Sequence, residues 1–182
     1  MANNIGYCTT NKLSSTHIAK VLVPTGGLVA GNIVALESLA SSIPNNFEVY
    51  TAGQPATAGL AGTHFAMIQN GGIETLSDGR RPDGQPDYTQ YTYNAGDVVT
   101  AVFLDPHLTF EVGVNTVSGG TTATPSSDIG KFIIPADGTY VGAVDASNSG
   151  VGNSLKIVAV KYLSLGGNFG LEYAPTYVCI AQ

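Results

Sequence analysis

The sequence predicts an all-β protein, and three features of its 182 residues support that class. Many short stretches alternate apolar and polar residues at period two, which is typical of strands with one buried face. Turn-forming residues separate these stretches, and Gly alone accounts for 23 positions. Charged residues are only 11% of the chain, which excludes a coiled coil and a charge-rich disordered chain. We therefore expect a β-barrel or β-sandwich of many short, mainly antiparallel strands.

Three segments carry the clearest strand patterns. Residues 108–115 alternate strictly between apolar and polar or small side chains and predict a half-buried strand. Residues 97–104 are apolar on both faces, which suits a strand that is covered on two sides. Residues 176–181 form a further apolar strand. Weaker strand candidates are residues 17–23, 32–39, 47–52, 63–69, 89–94, 131–135 and 139–144.

Two further segments predict local detail. Residues 154–162 form a strand pattern that places Leu155, Ile157 and Ala159 on one face. Residues 35–42 are the only helix-like stretch, and we expect one or two helical turns there at most.

The domain organisation follows from composition and charge. Residues 1–36 hold two lysines and no acid, so they carry a charge of +2. The remaining residues carry −8, which gives the chain its net charge of −6. We expect an extended N-terminal arm at 1–16 followed by a single β domain at 17–182, with a subdivision near the Ser/Thr/Gly-rich residues 118–128 as the alternative. The basic start suits an arm that lies on an acidic partner or a neighbouring subunit, unless the uneven charge is chance. The residues expected to contact a partner are Asn3, Asn4, Ile5, Tyr7 and Lys12 in the arm and Lys20 just after it.

A cluster of tyrosines adds two candidate contact residues. Tyr91 and Tyr93 share a side of one predicted strand, whereas Tyr88 faces the opposite way. Exposed tyrosines can stack on sugars or pack a subunit interface. The alternative is cross-strand packing inside the sheet.

Several function classes are excluded or disfavoured by the sequence. The only adjacent basic pair, Arg80-Arg81, lies among Asp78, Asp83 and Asp87, so we expect no nucleic-acid binding. No apolar run reaches about 18 residues, so we expect no membrane-spanning segment. The first residues lack a signal-peptide pattern, so we expect the protein to be made in the cytoplasm.

We expect no cofactor, metal or catalytic residues, and hence no enzyme. Gly130-Lys131 is followed by Phe132 instead of Ser or Thr, so the phosphate-loop pattern fails. His17, His64 and His107 are isolated from one another and from the cysteines, which disfavours zinc. A calcium ion on the Asp78–Asp87 loop is the alternative left open.

The two cysteines, Cys8 and Cys179, lie near opposite ends of the chain. Cys179 alternates with Tyr177 and Ala181 in the terminal apolar stretch, so we expect it to be a small core residue. A disulfide that links Cys8 to Cys179 and two buried thiols are both open at this point.

The order of these segments resembles a family of tailed-bacteriophage proteins that decorate or stabilise the capsid. The resemblance covers most of the chain. The residues that carry it are Met1-Ala2-Asn3-Asn4, Val21-Leu22-Val23, Gly31-Asn32-Ile33-Val34-Ala35-Leu36, Glu48-Val49-Tyr50-Thr51-Ala52 with Pro55, Asn94-Ala95-Gly96-Asp97-Val98-Val99-Thr100, Lys156-Ile157-Val158-Ala159-Val160 and Tyr177-Val178-Cys179-Ile180.

The resemblance implies a structural role without chemistry. A member of this family would bind the outside of a phage capsid, contact the major capsid protein, and occur on the virion as homo-oligomers around symmetry axes. A carbohydrate-binding β-sandwich module on a virion or cell surface is the alternative from another class. Another phage head or tail part is a third expectation.

Overall fold

The computed structural model describes residues 8–11, 17–40, 48–56, 64–69, 92–147, 153–167 and 170–182. It confirms the all-β class and contains a closed barrel. Two short 3-10 turns, Val114–Thr116 and Pro125–Asp128, are the helical segments in the described part that span three residues or more. The strands are β1 (Cys8–Asn11), β2 (Ile18–Leu22), β3 (Leu28–Val29), β4 (Ile33–Leu39), β5 (Val49–Gly53), β6 (Phe65–Ile68), β7 (Thr92–Tyr93), β8 (Val98–Phe103), β9 (Thr109–Gly113), β10 (Phe132–Ile134), β11 (Ala143–Asp145), β12 (Leu155–Gly167) and β13 (Gly170–Ala181).

Five strands close into a barrel in the order β2-β5-β4-β6-β8. The β2–β5 pair is parallel and the other pairs are antiparallel. Closure gives every barrel strand a paired neighbour on both sides, so no barrel strand is an edge strand. Its interior is filled by small and branched side chains, among them Val21, Val34, Ile68 and Ala101. The short β3–β7 pair adds to this core, with Leu28 from one strand and Tyr93 from the other.

The second layer is a six-stranded antiparallel sheet with the order β1-β9-β13-β12-β10-β11. One face of this sheet packs against the outside of the barrel and forms the second core. The sheet contributes side chains such as Phe110, Ile157 and Tyr177, and the barrel contributes Phe65 and Met67. The molecule is therefore a barrel with one side covered by a sheet.

The strand at residues 97–104 is covered on two sides, as its pattern predicts. In β8, Val99 and Ala101 point into the barrel, and Val102 points into the core between the layers. The strand at residues 108–115 is half-buried as predicted, with Phe110 and Val112 in the core between the barrel and the sheet. It is shorter than expected because its end turns into the first 3-10 segment.

The predicted side-chain phase of 154–162 is wrong after Ile157. Leu155 and Ile157 are buried as expected, but the register with β13 shifts between Ile157 and Ala159. Val158 is the extra residue of a β-bulge, and a bulge reverses the faces of the residues that follow it. As a result Val160, opposite the buried Tyr177, packs against the core in place of Ala159.

A second bulge lies beside the first, at Gly130. Its N–H donates to the Ile157 carbonyl at 2.8 Å, and the Ile157 N–H donates to the Lys131 carbonyl at 2.8 Å. Gly130 has a φ of +93°. This pattern is the bulge type that places glycine in the left-handed region, because a side chain there strains the backbone.

The helix expected within residues 35–42 is wrong where the structure describes it. Strand β4 covers Ile33–Leu39, and residues 41–42 lie outside the described part. Val34 faces the barrel interior while Ile33 and Ala35 face the sheet. Between Leu36 and Leu39 the register with β5 shifts and residues 37–39 are all exposed, so the period-two alternation is lost and the sequence resembles a helix.

Part of the segment predicted as an arm is a strand. Residues 8–11 form β1, an outer strand of the six-stranded sheet that pairs with β9. Residues 1–7 and 12–16 lie outside the described part. Within residues 118–128, Ser118 forms a parallel bridge to Ala143, so this stretch contacts the edge strand β11.

The register excludes a disulfide between Cys8 and Cys179. Cys8 lies opposite Val112, whereas Cys179 lies opposite Phe110, and β9 stands between their two strands. Strands are about 4.8 Å apart, so the two Cα atoms are separated by at least about 9 Å. A disulfide needs Cα atoms within about 7 Å. Cys179 is fully buried in the core, as its position between Tyr177 and Ala181 predicts.

Thiol titration tests this register. In denaturant without reductant, we expect two reactive thiols per chain, because the folded chain cannot join Cys8 to Cys179. A sample of the protein that is reduced before the titration is the control, and it should give the same number of reactive thiols per chain. Finding no reactive thiols in the monomeric chain would contradict the pairing of β1 with β9.

Replacing Gly130 tests the bulge. We expect Gly130→Ala to lower the free energy of unfolding in urea by about 1–2 kcal/mol, since a non-glycine residue at this φ is strained. No atom lies within 4 Å of the Cβ it would add, so the loss comes from the backbone alone. Gly130→Asn is the matched control and should lose less, because Asn tolerates this conformation better. Equal losses for both variants would argue against backbone strain.

Candidate functional site

The most concentrated polar cluster in the described residues surrounds Asp128. This residue ends the 3-10 turn Pro125–Asp128 and is 0% exposed to solvent. A carboxylate is rarely buried to this extent unless its oxygens are paired, since desolvation strongly disfavours the charge. Its partners therefore determine what the cluster can do.

Three residues donate hydrogen bonds to the Asp128 carboxylate. Thr121 donates twice, from its backbone N–H at 2.8 Å and from its hydroxyl at 3.2 Å. Lys131 Nζ donates to Oδ1 at 2.7 Å, and the Tyr177 hydroxyl donates to Oδ2. Tyr177 stands on the central strand β13, so the carboxylate fastens the 121–131 segment to the sheet.

These contacts shift the pKa values of both buried groups. Burial alone raises the pKa of Asp128, but the hydrogen bonds from Lys131, Tyr177 and Thr121 outweigh it and hold the pKa at about 2, below the ordinary 3.8. Burial and then the adjacent carboxylate raise the pKa of the Tyr177 phenol above its ordinary value of 10. Asp128 is therefore ionised and Tyr177 is protonated at neutral pH.

The chemistry of the cluster is structural. Both carboxylate oxygens of Asp128 accept hydrogen bonds, and the phenolic proton of Tyr177 is engaged with one of them. A carboxylate held with a pKa of about 2 is a weak base, so it is poorly suited to remove a proton from a substrate. What the arrangement can do is hold a surface segment in one conformation.

The ion pairs on the sheet share one orientation. In the Asp128–Lys131 pair the acidic side chain is 0% exposed and the lysine is 39% exposed. In the Glu111–Lys161 pair, which spans 2.5 Å, the corresponding values are 14% and 55%. In both pairs the carboxylate is thus less exposed than the ammonium group, although Glu111 lies on the solvent side of the sheet, opposite Val178.

Two of the predicted contact residues fall in the described part. Lys20 is exposed on β2, where its Nζ donates to the Thr100 hydroxyl at 2.8 Å. Tyr93 is only 8% exposed, and its hydroxyl donates to the Gln69 carbonyl at 3.1 Å. The ring of Tyr93 therefore lies in the barrel core, which agrees with the packing alternative rather than with an exposed contact. The remaining predicted contact residues, Asn3, Asn4, Ile5, Tyr7, Lys12 and Tyr91, lie outside the described residues.

The histidines show no metal-binding geometry where they are described. His17 Nδ1 lies 2.8 Å from Asp105 Oδ2, and the His64 ring packs edge-on against Phe103. No group of three or more His, Cys, Asp or Glu residues in the described ranges could hold a metal ion. The Asp78–Asp87 loop lies outside those ranges. Nor is any helix there long and apolar enough to cross a membrane.

Sequence reasoning missed the Asp128 cluster. The Ser/Thr/Gly composition of 118–128 indicates a divider, and Tyr177 enters the sequence argument only as a member of the terminal apolar stretch. The available signal was a lone Asp at the end of a Ser/Thr segment, which many exposed turns share. The fold makes this Asp distinctive, because it brings the Asp128 carboxylate to the Tyr177 hydroxyl, which donates a hydrogen bond to it.

Replacing Asp128 tests the role of the cluster. We expect Asp128→Asn to lower the free energy of unfolding by about 1–3 kcal/mol. The amide N–H₂ group would replace an oxygen that accepts hydrogen bonds, so it would face donors from Thr121, Lys131 or Tyr177 without being able to accept from them. Asp97→Asn is the matched control, because Asp97 is half-exposed with a single backbone donor from Asn94. The control should change the free energy of unfolding by less than about 0.5 kcal/mol. Equal losses would refute the special role of Asp128.

The pH dependence gives a second measurement on the same variant. Because the pKa of Asp128 is lowered to about 2 in the folded chain, its stabilisation is complete above the unfolded value of 3.8. It is lost as the pH falls from about 4 towards 2, and amounts to about 2 kcal/mol. Urea unfolding between pH 5 and pH 2 should therefore show a shallower pH dependence in Asp128→Asn than in the parent. Parallel curves would contradict the lowered pKa.

Comparisons with known proteins gave no match. No family model, no curated protein and no solved structure is similar to this chain at a significant level. The contacts described above and the order of the sequence segments are therefore the basis for the function proposed below.

Proposed function

We propose that the protein is a structural component of a tailed-phage particle, which binds the outside of the capsid and stabilises the shell. The order of the sequence segments supports this proposal, because it resembles that of capsid decoration proteins over most of the chain. The all-β architecture fits such a role, since a decoration protein needs a rigid body and an adhesive surface. It needs no chemistry and no cofactor.

The observation that carries the proposal is the placement of exposed aliphatic side chains on strands of the barrel and of the sheet. Leu39 on β4 is 50% exposed, and Val98 on β8 and Val158 on β12 are also exposed. Single exposed aliphatic residues are common on any protein. Here they lie on strands that are fixed by the barrel and by the sheet, so binding them orders few additional groups and costs little conformational entropy.

The stability of the body also suits this role. The two cores are contiguous with a shared barrel wall, and a carboxylate network fixes the longest irregular segment between two strands of the sheet. A protein that strengthens a shell must itself resist local opening under the same stress. Many weakly bound copies on a symmetric surface then add up through multivalency.

The N-terminal segment is the proposed capsid contact. Its residues 8–11 form the outer strand β1, and the proposed contact residues precede that strand in the sequence. Asn3, Asn4, Ile5 and Tyr7 are the proposed contact residues there. A deletion that tests this contact should end before Cys8, because a longer one removes a strand of the sheet.

The first experiment measures copy number in purified particles of the phage that encodes the chain. We expect many copies per particle, in a fixed ratio to the major capsid protein. Shells that lack the protein should open at a lower temperature or under lower osmotic stress. A few copies per particle would indicate a tail or head-completion part instead, and shells of unchanged stability would refute the proposal.

The second experiment tests the arm. We expect the chain that lacks residues 2–7 to keep the parent's unfolding midpoint but to lose co-sedimentation with empty shells. The full-length chain with Asn94→Ser, a change at an exposed turn between β7 and β8, is the control and should still bind. Undiminished binding by the shortened chain would place the capsid contact elsewhere.

A further inference from the structure

The connection from the barrel to the sheet is a tight turn that contains a strained residue. Asp105-Pro106-His107-Leu108 joins β8 to β9, and the Leu108 N–H donates to the Asp105 carbonyl at 3.3 Å. His107 has a φ of +74°, the left-handed value that a type II turn requires at its third position. Glycine ordinarily occupies this position, because a side chain there strains the backbone. Among the described residues other than glycine, His107 alone has such a φ.

The fold holds this turn on both sides, so the strained conformation is imposed on it. Leu104 and Leu108 are buried in the core between the barrel and the sheet. The His107 N–H donates to the Ala181 carbonyl at 3.0 Å, and the Ala181 N–H donates to the Leu108 carbonyl at 2.9 Å. Pro106 and His107 are themselves exposed. Water therefore reaches a turn whose two ends are fixed.

A histidine from the barrel holds the side chain of Asp105. Strand β2 pairs with β8 so that Ile18 lies opposite Val102, which brings the preceding His17 to the end of β8. His17 Nδ1 lies 2.8 Å from Asp105 Oδ2. The other carboxylate oxygen, Oδ1, has no hydrogen-bond partner among the described residues. One oxygen of Asp105 is thus held in place, and the other is available to react.

The peptide bond that follows this carboxylate is chemically labile. Asp105-Pro106 is the one Asp-Pro sequence in the chain, and acid hydrolyses Asp-Pro more readily than other peptide bonds. The Asp carboxylate can attack its own main-chain carbonyl carbon, because the product is a five-membered cyclic anhydride. The competing ring closure, through the next backbone nitrogen, needs an N–H that Pro lacks. The Leu108 N–H donates to the oxygen on which negative charge develops during the attack.

We propose that the chain cleaves itself once, between Asp105 and Pro106. Asp105 Oδ1 forms a bond to the main-chain carbonyl carbon of the same residue, and the bond from that carbon to the Pro106 nitrogen breaks. The electron pair of the broken bond stays on the nitrogen, which takes a proton from solvent. Water then opens the anhydride and leaves Asp105 as a C-terminal residue with two carboxyl groups. The net change is hydrolysis of one peptide bond, with water as the only co-reactant.

The cut would leave the molecule assembled. All five barrel strands lie within residues 1–105, and β9 to β13 lie within residues 106–182. Strand β1 of the first fragment pairs with β9 of the second, and the core between the layers joins them further. The cut also releases His107 from the fixed turn, so relief of strain favours the cleaved form. This inference concerns the chain alone and does not depend on the capsid role.

Intact-mass measurement over time, at mildly acidic pH, tests the cleavage. The folded chain should convert to residues 1–105 and 106–182, whose masses add up to that of the parent plus one water. We expect the same chain unfolded in urea to be cut at least about tenfold more slowly, because unfolding removes the positioning of the carboxylate. In size-exclusion chromatography without denaturant, the two fragments should elute together.

Two variants remove the chemistry and keep the turn. Asp105→Glu keeps the charge but would have to form a six-membered anhydride, which closes more slowly. Pro106→Ala restores a backbone N–H and makes the nitrogen a poorer leaving group. At an unchanged unfolding midpoint, each should be cut at least about tenfold more slowly than the parent. Asp137→Glu, a change at an exposed turn, is the matched control and should be cut at the parent's rate.

His17 is a positioning residue in this proposal, and its role has a separate readout. The side-chain amide of Asn can place an N–H where His17 Nδ1 lies, whereas Ala cannot. We therefore expect His17→Asn to keep most of the cleavage rate and His17→Ala to lose it, with both variants folded as judged by thermal unfolding. Cleavage of His17→Ala at the parent's rate would remove His17 from the site.

The outcomes for the cleavage itself are decisive in either direction. A cut between residues 105 and 106 that is faster in the folded chain, and slowed in both turn variants, supports the proposal. A folded chain that stays intact overturns it. It is equally overturned when the unfolded chain is cut as fast as the folded one, because the bond then shows only its ordinary lability.

Discussion

The structure depends on three barrel strands that are buried on both faces. β4, β6 and β8 turn one set of side chains into the barrel and the other set into the layer beneath the sheet. Val34 and Ile33, adjacent in sequence, thus belong to different cores. Because one wall serves both cores, the barrel cannot rearrange without disturbing the sheet, and each layer holds the other in register.

Asp128 extends this rigidity to residues 118–131, none of which belongs to either core. The stretch between β9 and β10 is rich in Ser, Thr and Gly, and such a segment ordinarily has little to hold it. A single buried carboxylate gathers donors from Thr121, Lys131 and Tyr177 and so replaces the missing apolar contacts.

The class of the fold and its principal strands could be predicted because they depend on local patterning. The alternation in 108–115 and the two-sided apolar pattern of 97–104 both correspond to strands of the structure. What could not be predicted depends on residues far apart in sequence. The bulge at Val158 is set by pairing with β13, and the loss of alternation in β4 accompanies a register shift against β5 between Leu36 and Leu39. The Asp128 cluster needs Tyr177, 49 positions away, to be recognised.

The position of β13 in the sheet has a consequence for how the protein is made. This strand lies between β9 and β12, although it follows both in sequence. During translation β9 and β12 must therefore wait, with open edges, until residues 170–181 have been synthesised. The barrel closes earlier, when β8 meets β2, which gives the nascent chain a finished surface to which the sheet is later added. Non-local pairing of this kind folds slowly, and the interval before β13 arrives is when the chain is most exposed to aggregation.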